Sequence, residues 1–479
     1  MILVETIAFF FNVLILIYYL YVNGMYLFLN ILAFFRIRML VKFNPFIRQE
    51  QAWKPPFSKP ITLVVPAFNE AKNIVTSLKA LLQLYYPNYE VILVNDGSTD
   101  KTLEILVKEF ELMMSPRLPS GSLPTKPVHR IYYSRLYDNL FVIDKENGGK
   151  SDAINVGINF ARFPLVCVID ADSILERDAF IKMVRPFMEW PETVAVGGIV
   201  RIVNGSVIKN GEVVEPRLSS RALVRFQAIE YLRAFLFGRV GWDQLRSLLI
   251  ISGAFGVYRR DALLQVGGYN TETIGEDMEL TIRLHKYFRR NKKKYRITFV
   301  PEPVCWTEVP EDLRSLKAQR NRWQRGLMQS LLMHKDIFLN PRFGILGLFS
   351  YPFYILGEMM SPVVEFGGVL FVMLSWFLGI VDLPFALFFL FAAVLLAALF
   401  SVSSIMLEEL AYHRYAKLKD LLILTVYSFI ENVGYRQIHS YFRLTGMLDY
   451  LKRKRGWGRL KRKGFRDDEE QNDSTNGQG

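Results

Sequence analysis

Two long apolar stretches constrain this 479-residue chain more than any other feature of its sequence. The first runs from Ile7 to Phe35 and the second from about Phe343 to Met406, and both are nearly free of charged residues. Each exceeds the roughly 20 apolar residues that an α-helix needs to cross a bilayer. A helix buried in a soluble core rarely stays apolar on every face over such a length. The two stretches therefore predict transmembrane helices.

The first stretch could also be a cleaved signal peptide, but two features argue against this. Glu5 stands where a signal peptide carries basic residues, and no small-residue cleavage site follows the apolar run. We therefore expect residues 1–36 to remain attached as an N-terminal transmembrane anchor.

Basic residues give the chain a formal net charge of +13, and many of them lie beside the apolar stretches. Arg36, Arg38 and Lys42 follow the first stretch, and a basic cluster between Lys452 and Lys463 follows the last apolar run. Basic residues in such positions mark the cytoplasmic side and attract anionic headgroups. The pattern predicts a multi-pass protein of the cell (plasma) membrane, with a cytoplasmic soluble domain and membrane lipids as partners.

The soluble part carries no signature of a nucleic-acid site or of a disulfide framework. Its Lys and Arg residues form no stripe interleaved with aromatic residues, which argues against nucleic acid as a partner. The two cysteines, Cys167 and Cys305, lack metal-ligand spacing and fit a reduced cytoplasmic domain.

Between roughly Lys59 and Leu332, short β-branched runs alternate with helical patterns, which is typical of an α/β domain with a mostly parallel sheet. The predicted strands are Ile61–Pro66, Val91–Asn95, Leu140–Asp144 and Leu165–Ile169. The predicted helices are Lys72–Leu84 and Leu103–Leu112. The Pro/Ser-rich segment Ser115–Pro127 predicts a surface loop, and Asn204–Pro216, with two Asn-Gly pairs, predicts a hairpin.

We assign three regions to the chain beyond its anchor. Residues 55–335 form the cytoplasmic domain, and residues 340–450 form C-terminal interfacial and transmembrane helices. Residues 451–479 are a tail, basic and then acidic, whose composition predicts disorder.

The number of C-terminal crossings must be even, because basic segments both precede the domain and follow the last helix. The candidate crossings are Phe343–Met359, Val363–Ile380, Leu383–Met406 and Leu421–Tyr435. Four crossings satisfy the rule, and so do two if the first and last candidates lie in the interface. Glu358 and Glu365 are costly in lipid, so we expect them to face a pore or to pair inside the protein.

Polar residues cluster where the predicted strands end, which is where ligands bind an open parallel sheet. Asn69 and Glu70 follow the first strand, and Asp96 and Asp100 follow the second. Asp96 could accept hydrogen bonds from a base or a ribose, whereas Asp100 is suited to capping the next helix.

Two further motifs are suited to phosphate and metal binding. Gly148 and Gly149 open a helix and let the backbone approach a ligand, while Lys150 can neutralise a phosphate. Asp170 and Asp172 follow the apolar strand Leu165–Ile169 and could hold Mg²⁺ or Mn²⁺ together with a diphosphate. Such an ion would stabilise a departing nucleoside diphosphate.

A carboxylate in a dry pocket can act as a general base towards an attacking hydroxyl group. Asp277 is our candidate for that base, and Glu276 is the alternative. Glu279 is expected to pair with Arg283 one helical turn later.

The segment Gln319–Trp323 offers groups for a sugar and for a phosphate. Trp323 presents a flat face, and the guanidinium group of Arg322 matches phosphate geometry.

Taken in order, these motifs resemble the processive family-2 glycosyltransferases, which include cellulose, hyaluronan, chitin and poly-N-acetylglucosamine synthases. The resemblance extends from roughly Pro66 to Gly326 and includes the flanking apolar spans. It implies an α/β nucleotide-diphospho-sugar transferase domain (GT-A, Rossmann-like) inserted between transmembrane α-helices.

The resemblance also implies how the donor is bound. Asp96 would contact the uracil of a UDP-sugar, with Asn69 and Glu70 beside the nucleotide. Asp170 and Asp172 would bind the sugar diphosphate and its Mg²⁺ or Mn²⁺.

For the transfer itself, the resemblance makes Asp277 the general base. Gln319, Arg322 and Trp323 would bind the acceptor end and the pyrophosphate. The reaction would invert the anomeric centre, and the spans would form a channel for the product.

The substrate stays open at this point. Gly275 precedes the Glu-Asp pair, where cellulose synthases have Thr. The tail also shows no evident second-messenger-binding domain of the cellulose synthase kind. Both departures favour a poly-N-acetylglucosamine-type or unassigned synthase. The alternative is the transfer of a single sugar to a lipid acceptor, and a silent membrane scaffold is a third reading, against which the intact carboxylates argue. An accessory subunit is a further partner that the sequence allows.

Overall fold

The computed structural model of the protein describes residues 2–47, 58–209, 211–381, 383–412 and 417–454. Apart from residues 451–454, the predicted disordered tail lies outside the described residues. The described chain divides into two compact units. We call the described parts of residues 43–220 and 248–309 the sheet unit, and those of residues 1–42, 221–247 and 310–460 the helical unit. Residues 221–247, which the sequence assigns to the α/β domain, thus group with the helices.

The strands are β1 (Ile61–Ala67), β2 (Tyr89–Asp96), β3 (Leu112–Met114), β4 (Val128–Ser134), β5 (Leu140–Lys145), β6 (Leu165–Ile169), β7 (Ser173–Leu175), β8 (Thr193–Ile202), β9 (Val207–Lys209), β10 (Glu212–Glu215), β11 (Phe255–Arg259) and β12 (Arg296–Thr307). The helices are α1 (Ile2–Ile47), α2 (Ile74–Leu81), α3 (Thr102–Glu109), α4 (Lys150–Phe160), α5 (Ala179–Glu189), α6 (Ala222–Leu232), α7 (Val240–Gln244), α8 (Arg260–Gln265), α9 (Glu276–Arg290), α10 (Leu313–Met333), α11 (Tyr351–Phe353), α12 (Ser361–Phe377), α13 (Leu383–Tyr412), α14 (Leu418–Ile430) and α15 (Tyr435–Leu451). Wider π-helical turns lie at Arg233–Arg239, Leu346–Ser350 and Tyr354–Met359, and short 3₁₀ turns at Lys335–Ile337 and Pro341–Phe343.

The sheet unit is built on a ten-stranded sheet in the order β3-β4-β5-β2-β1-β6-β11-β8-β12-β7. Its centre, β5-β2-β1-β6, is parallel throughout. Strands β1 and β6 are almost continuously apolar and buried, as expected for parallel strands covered on both faces. Strand β11 runs antiparallel to both of its neighbours, so the sheet is mixed where the sequence predicts a mostly parallel one.

The four predicted strands are all present at this parallel centre, within two residues of their predicted ends. The predicted helix Leu103–Leu112 ends earlier, at Glu109, because Glu111 adopts a left-handed φ of 45° and Leu112 begins β3. The loop at Ser115–Pro127 and the hairpin of β9 and β10 are as predicted.

In the helical unit, two helices of the described chain are long and apolar enough to span a membrane, Phe9–Lys42 and Ala386–Tyr412. A third candidate is the pair Leu346–Met359 and Ser361–Phe377, which is bent by 45°. Helix α14 has only 13 residues, fewer than a crossing needs. If the bent pair is one span, the described C-terminal region has two candidate crossings; the predicted even number stays a prediction.

The two intramembrane carboxylates find partners inside the helical unit, as one of the predicted alternatives requires. The Tyr26 hydroxyl group donates a hydrogen bond of 2.8 Å to Glu358, and Arg436 lies 3.2 Å from Glu365. Pairing of this kind lowers the cost of a charge at membrane depth.

Candidate active site

The carboxyl ends of β1, β2, β5 and β6 meet at one edge of the sheet, because these four strands are parallel neighbours. The segments that follow these strands carry most of the predicted site residues. The sequence could anticipate this grouping, since polar residues directly follow each apolar run.

Asp96 at the end of β2 is 3% exposed, and its carboxylate accepts hydrogen bonds from three donors of its own unit. Its Oδ1 accepts hydrogen bonds from Lys145 Nζ at 2.7 Å and from the backbone N–H of Gly148 at 3.0 Å. Its Oδ2 accepts from the backbone N–H of Gly149 at 2.8 Å. The carboxylate therefore fixes the turn that precedes α4.

Lys145 completes this arrangement and was not among the predicted site residues. It is completely buried, and its Nζ lies 2.6 Å from Oδ1 of Asp152 as well as 2.7 Å from Asp96. A buried ammonium group between two buried carboxylates is the arrangement that burial of charge requires. The sequence indicated its place at the sheet edge, because Lys145 directly follows the predicted strand Leu140–Asp144, but not its burial.

The turn itself depends on glycine. Gly149 has a φ of 88°, which residues with a Cβ rarely adopt. Gly97 has a φ of 65°, and a Cβ there would lie 2.7 Å from the backbone nitrogen of Asn147. Gly97 is therefore required by the close approach of Asn147, whereas Gly149 is required by its backbone conformation.

Asn69 connects the ends of β1 and β2. It has a φ of 58°, and its Oδ1 accepts a hydrogen bond of 2.8 Å from the backbone N–H of Thr99. The backbone N–H of Glu70 donates to the hydroxyl group of Thr102 at 3.0 Å. Asp100 accepts from the backbone N–H of Thr102, the first residue of α3, at 3.0 Å, but the N-cap position predicted for Asp100 is occupied by Lys101. Asn69 and Asp100 thus shape the loops beside the proposed nucleotide site.

A second charged cluster surrounds Lys150, the first residue of α4. Its Nζ lies 2.6 Å from Asp170 Oδ1, 3.4 Å from Glu276 Oε1 and 3.2 Å from the carbonyl oxygen of Gly253. Burial alone would lower the pKa of Lys150, but the carboxylates of Asp170 and Glu276 outweigh burial and raise that pKa above its ordinary value. The ammonium group therefore stays charged at neutral pH.

Asp277 lies beside this cluster, in the first turn of α9. Its Oδ2 accepts a hydrogen bond of 2.9 Å from the backbone N–H of Gly253. The same glycine accepts from Lys150, so Gly253 links the two motifs. Further along α9, Arg283 lies 2.9 Å from Glu279, as the four-residue spacing predicts.

The carboxylates after β6 fit a divalent cation that is shared with a ligand. The described residues contain no group of three or more His, Cys, Asp or Glu side chains arranged to hold a metal ion by themselves. Asp170 is partly exposed and Asp172 is buried, and both provide the oxygen ligands that Mg²⁺ and Mn²⁺ prefer. Mg²⁺ commonly binds through one or two carboxylates plus substrate phosphates and water, and this donor set matches that mode.

The predicted residues Gln319, Arg322 and Trp323 lie in α10 of the helical unit. Gln319 is buried, whereas Trp323 is 42% exposed. The guanidinium carbon of Arg320 lies 4.3 Å from the centre of the Trp323 ring. The sheet unit thus brings Lys150, Asp170, Glu276 and Asp277 together, and the three α10 residues belong to the other unit.

Comparison with known proteins matches two family models to the chain. Residues 62–267 match "Glycosyl transferase family 2", and residues 165–405 match "Glycosyl transferase family group 2". The second match continues from the sheet unit into the apolar helices.

Two bacterial relatives are similar over most of this region. The poly-beta-1,6-N-acetyl-D-glucosamine synthase of Staphylococcus aureus (strain COL) is 31% identical over 316 residues, which are 66% of this chain and 63% of that protein. The synthase of the same description from Staphylococcus epidermidis is 31% identical over 274 residues, 57% of this chain and 55% of that protein. The chain therefore aligns with less than two thirds of the length of these relatives.

Among solved structures, a mannosyltransferase from Pyrobaculum calidifontis in complex with GDP-Man and Mn²⁺ superimposes with a TM-score of 0.50. The superposition covers 91% of this chain and 100% of that chain at 17% sequence identity. At this identity the likeness shows a shared fold, and it confirms the α/β architecture predicted for the sheet unit.

Proposed function

This chain belongs to glycosyltransferase family 2, and we propose that it is a membrane enzyme that transfers a sugar from a UDP-sugar to a growing polysaccharide. The observation that carries the proposal is the cluster of Lys150, Asp170, Glu276 and Asp277 at the edge of the sheet. It combines a cation for phosphate, a carboxylate for a metal and a carboxylate for proton transfer within one unit. The similarity to poly-N-acetylglucosamine synthases makes UDP-N-acetylglucosamine the first donor to test.

The nucleotide would bind over the turn that Asp96 fixes. An ionised carboxylate offers about four acceptor positions, and Lys145, Gly148 and Gly149 occupy three of those on Asp96. One position remains for the N–H group of uracil. Asn69 and Glu70, at the end of β1, would line the adjacent side of the nucleotide.

The diphosphate would bind between Lys150 and the carboxylates after β6. When bound, Mg²⁺ or Mn²⁺ held by Asp170 and Asp172 would neutralise charge on the departing nucleoside diphosphate. Lys150 is the counter-ion of Asp170 in this structure. We expect Lys150 to exchange its contact with Asp170 for a contact with a phosphate of the donor. The same ammonium group would then pair with Asp170 before the donor binds and with the phosphate afterwards.

Asp277 is the better placed of the two candidate bases. Glu276 lies 3.4 Å from the ammonium group of Lys150, whereas the Asp277 carboxylate accepts from a backbone N–H group. Asp277 would remove the proton of the acceptor hydroxyl group while the oxygen of that hydroxyl attacks the anomeric carbon and the nucleoside diphosphate departs. This attack gives a β-linkage from an α-linked donor.

Gln319, Arg322 and Trp323 would bind the acceptor end and the pyrophosphate. Gln319 supports this assignment, because its buried Oε1 has no hydrogen-bond partner among the residues that the structure describes. A buried carbonyl oxygen of this kind needs a donor, and a sugar hydroxyl group would supply one.

We also propose that the domain faces the cytoplasm and that synthesis is coupled to export through the spans. The basic residues beside the anchor support the first statement. The paired intramembrane carboxylates Glu358 and Glu365 support a polar interior within the helical unit. The accessory subunit that the sequence allows would act on the helical unit.

The proposal is tested by incubating membranes that contain the protein with Mn²⁺ and a panel of radiolabelled UDP-sugars. The products are then sized and digested with linkage-specific glycosidases. One donor is expected to give a long, β-linked polymer. Label that is confined to a small lipid-soluble product would favour the alternative, the transfer of a single sugar to a lipid acceptor.

A further inference from the structure

A buried arginine lies beside the proposed acceptor site and has no role in the account so far. Arg320, in α10 of the helical unit, is 2% exposed. Its Nη2 donates a hydrogen bond of 2.8 Å to Glu230 in α6, and its guanidinium carbon lies 4.3 Å from the centre of the Trp323 ring. Arg320 therefore contacts a carboxylate and an aromatic ring together.

Glu230 is held in place by two further groups from α15. The hydroxyl group of Tyr435 donates to Glu230 Oε2 at 3.1 Å, and His439 Nε2 lies 3.4 Å from Oε1. Burial would raise the pKa of Glu230, but Arg320 and His439 outweigh burial and lower it well below its ordinary range. Glu230 is thus an ionised, multiply bonded anchor for Arg320.

The three helices that carry this network are packed closely. The ring of Phe226 in α6 stacks on Tyr435 in α15, with centroids 4.7 Å apart. Gly446 in α15 faces α10 so closely that a Cβ there would lie 2.7 Å from the carbonyl oxygen of Asn321. The network thus lies among closely packed helices.

A buried ion pair is a poor way to gain stability alone, because well-packed apolar residues at the same place are often as stable or more so. A guanidinium group does what an apolar residue cannot, since it lies flat on an indole ring while donating to a carboxylate in a fixed direction. Trp323 keeps 42% of its surface exposed, so the contact leaves much of the ring accessible.

We propose that Glu230 and Arg320 are positioning residues that hold the Trp323 ring in the orientation in which it receives a sugar of the acceptor. This inference rests on the proposed role of Trp323 in acceptor binding. We assign neither residue a contact with the donor or with the reacting atoms. Their loss weakens the hold on the growing chain and leaves donor binding unchanged.

The test compares Arg320→Met and Glu230→Gln with wild type in membranes supplied with radiolabelled UDP-N-acetylglucosamine and Mn²⁺. Both variants are expected to release shorter polymers, by about tenfold in mean length, at an unchanged KM for the donor. Arg320→Lys keeps the charge but loses the planar guanidinium group over the Trp323 ring, and its mean polymer length is expected to fall between that of these variants and that of wild type.

Glu431→Gln is the matched control, because it breaks another buried Arg–Glu pair of the same unit, that of Arg233 and Glu431. It is expected to leave polymer length unchanged. Equal shortening in this control, or a parallel loss of kcat and donor affinity in all variants, would show that the Glu230–Arg320 pair is only structural.

Trp323→Ala separates a failure of this inference from a failure of the proposed function. If Trp323→Ala shortens the polymer but Arg320→Met and Glu230→Gln do not, the positioning role is wrong and the acceptor site stands. If wild type makes no polymer, or Trp323→Ala has no effect on its length, the proposed role of Trp323 fails first.

Discussion

The Nζ atom of Lys150 lies 2.6 Å from Oδ1 of Asp170, so a positive charge is adjacent to the carboxylate proposed to hold a divalent cation. Under the proposed function, the ammonium group and the metal ion would be alternative counter-ions of Asp170. Donor binding would resolve this competition, because a diphosphate offers Lys150 a second anionic partner.

Replacing Lys150 by Met tests this competition. Removing the ammonium group should lower turnover by about 10²- to 10³-fold, as is typical for the loss of one charge-stabilising group. It should also lower the half-saturating Mn²⁺ concentration, because Asp170 no longer has an internal cation. Turnover measured against Mn²⁺ concentration checks both effects, and an unchanged metal dependence would show that Lys150 acts on phosphate alone.

Removal of the metal is the second prediction. Chelation of divalent cations in the membranes should stop sugar transfer, and added Mg²⁺ or Mn²⁺ should restore it, because Asp170 and Asp172 hold the diphosphate through the ion. Ca²⁺, which is larger and takes more ligands, should restore transfer poorly. Full turnover in chelator would remove the metal role of both carboxylates.

The buried cation Lys145 supports a prediction about stability. Lys145→Met leaves Asp96 and Asp152 buried without their counter-ion, and breaking a buried pair in this way costs about 3–5 kcal/mol. Lys79→Met is the matched control, since Lys79 lies 3.9 Å from Glu109 on the exposed surface, and such a pair contributes at most about 1 kcal/mol. Thermal unfolding of the detergent-solubilised protein should separate the two variants clearly, and equal midpoints would contradict the account of the turn.

A pH dependence of stability follows from His285 in α9. Burial lowers the pKa of His285 to about 4, while its ring nitrogens contact the Tyr295 hydroxyl at 2.8 Å and the Leu248 carbonyl oxygen at 2.9 Å. Since the ordinary pKa is about 6.5, the unfolded chain binds more protons than the folded one between these values. Stability should therefore fall by up to about 3 kcal/mol as the pH is lowered from 6.5 to 4.

Denaturation curves at several pH values check this prediction. His285→Gln should flatten the dependence within that window, whereas His129→Gln, at an exposed position of β4, should leave it unchanged. If the pH dependence of stability persists in His285→Gln, titratable groups other than His285 cause it.

The parallel centre of the sheet could be predicted from sequence because each of its strands is a continuous apolar run that ends in a polar motif. Strand β11 could not, since Phe255–Arg259 is short and follows a glycine-rich segment that suggests a turn. Its place between β6 and β8 depends on pairings with distant residues.

The site was predictable in its residues but not in its internal pairing. The sequence predicted that Asp96, Lys150, Asp170 and Asp277 lie at the ends of strands or helices. Polar residues in such positions were expected to meet at one edge of the sheet. The sequence did not indicate that Lys145 is buried, because a lysine that follows a strand is usually solvated. Its burial depends on two carboxylates together, those of Asp96 and Asp152, and Asp96 lies on a different strand.

The most direct test of the central claim compares wild type with Asp277→Asn, using UDP-N-acetylglucosamine and Mn²⁺. Donor binding and sugar transfer are measured on the same preparation, with Glu276→Gln alongside. We expect Asp277→Asn to bind the donor as wild type does while transfer falls at least 10²-fold, because only the base is lost. Normal transfer by Asp277→Asn would contradict the account and, if Glu276→Gln were inactive, would move the base to Glu276.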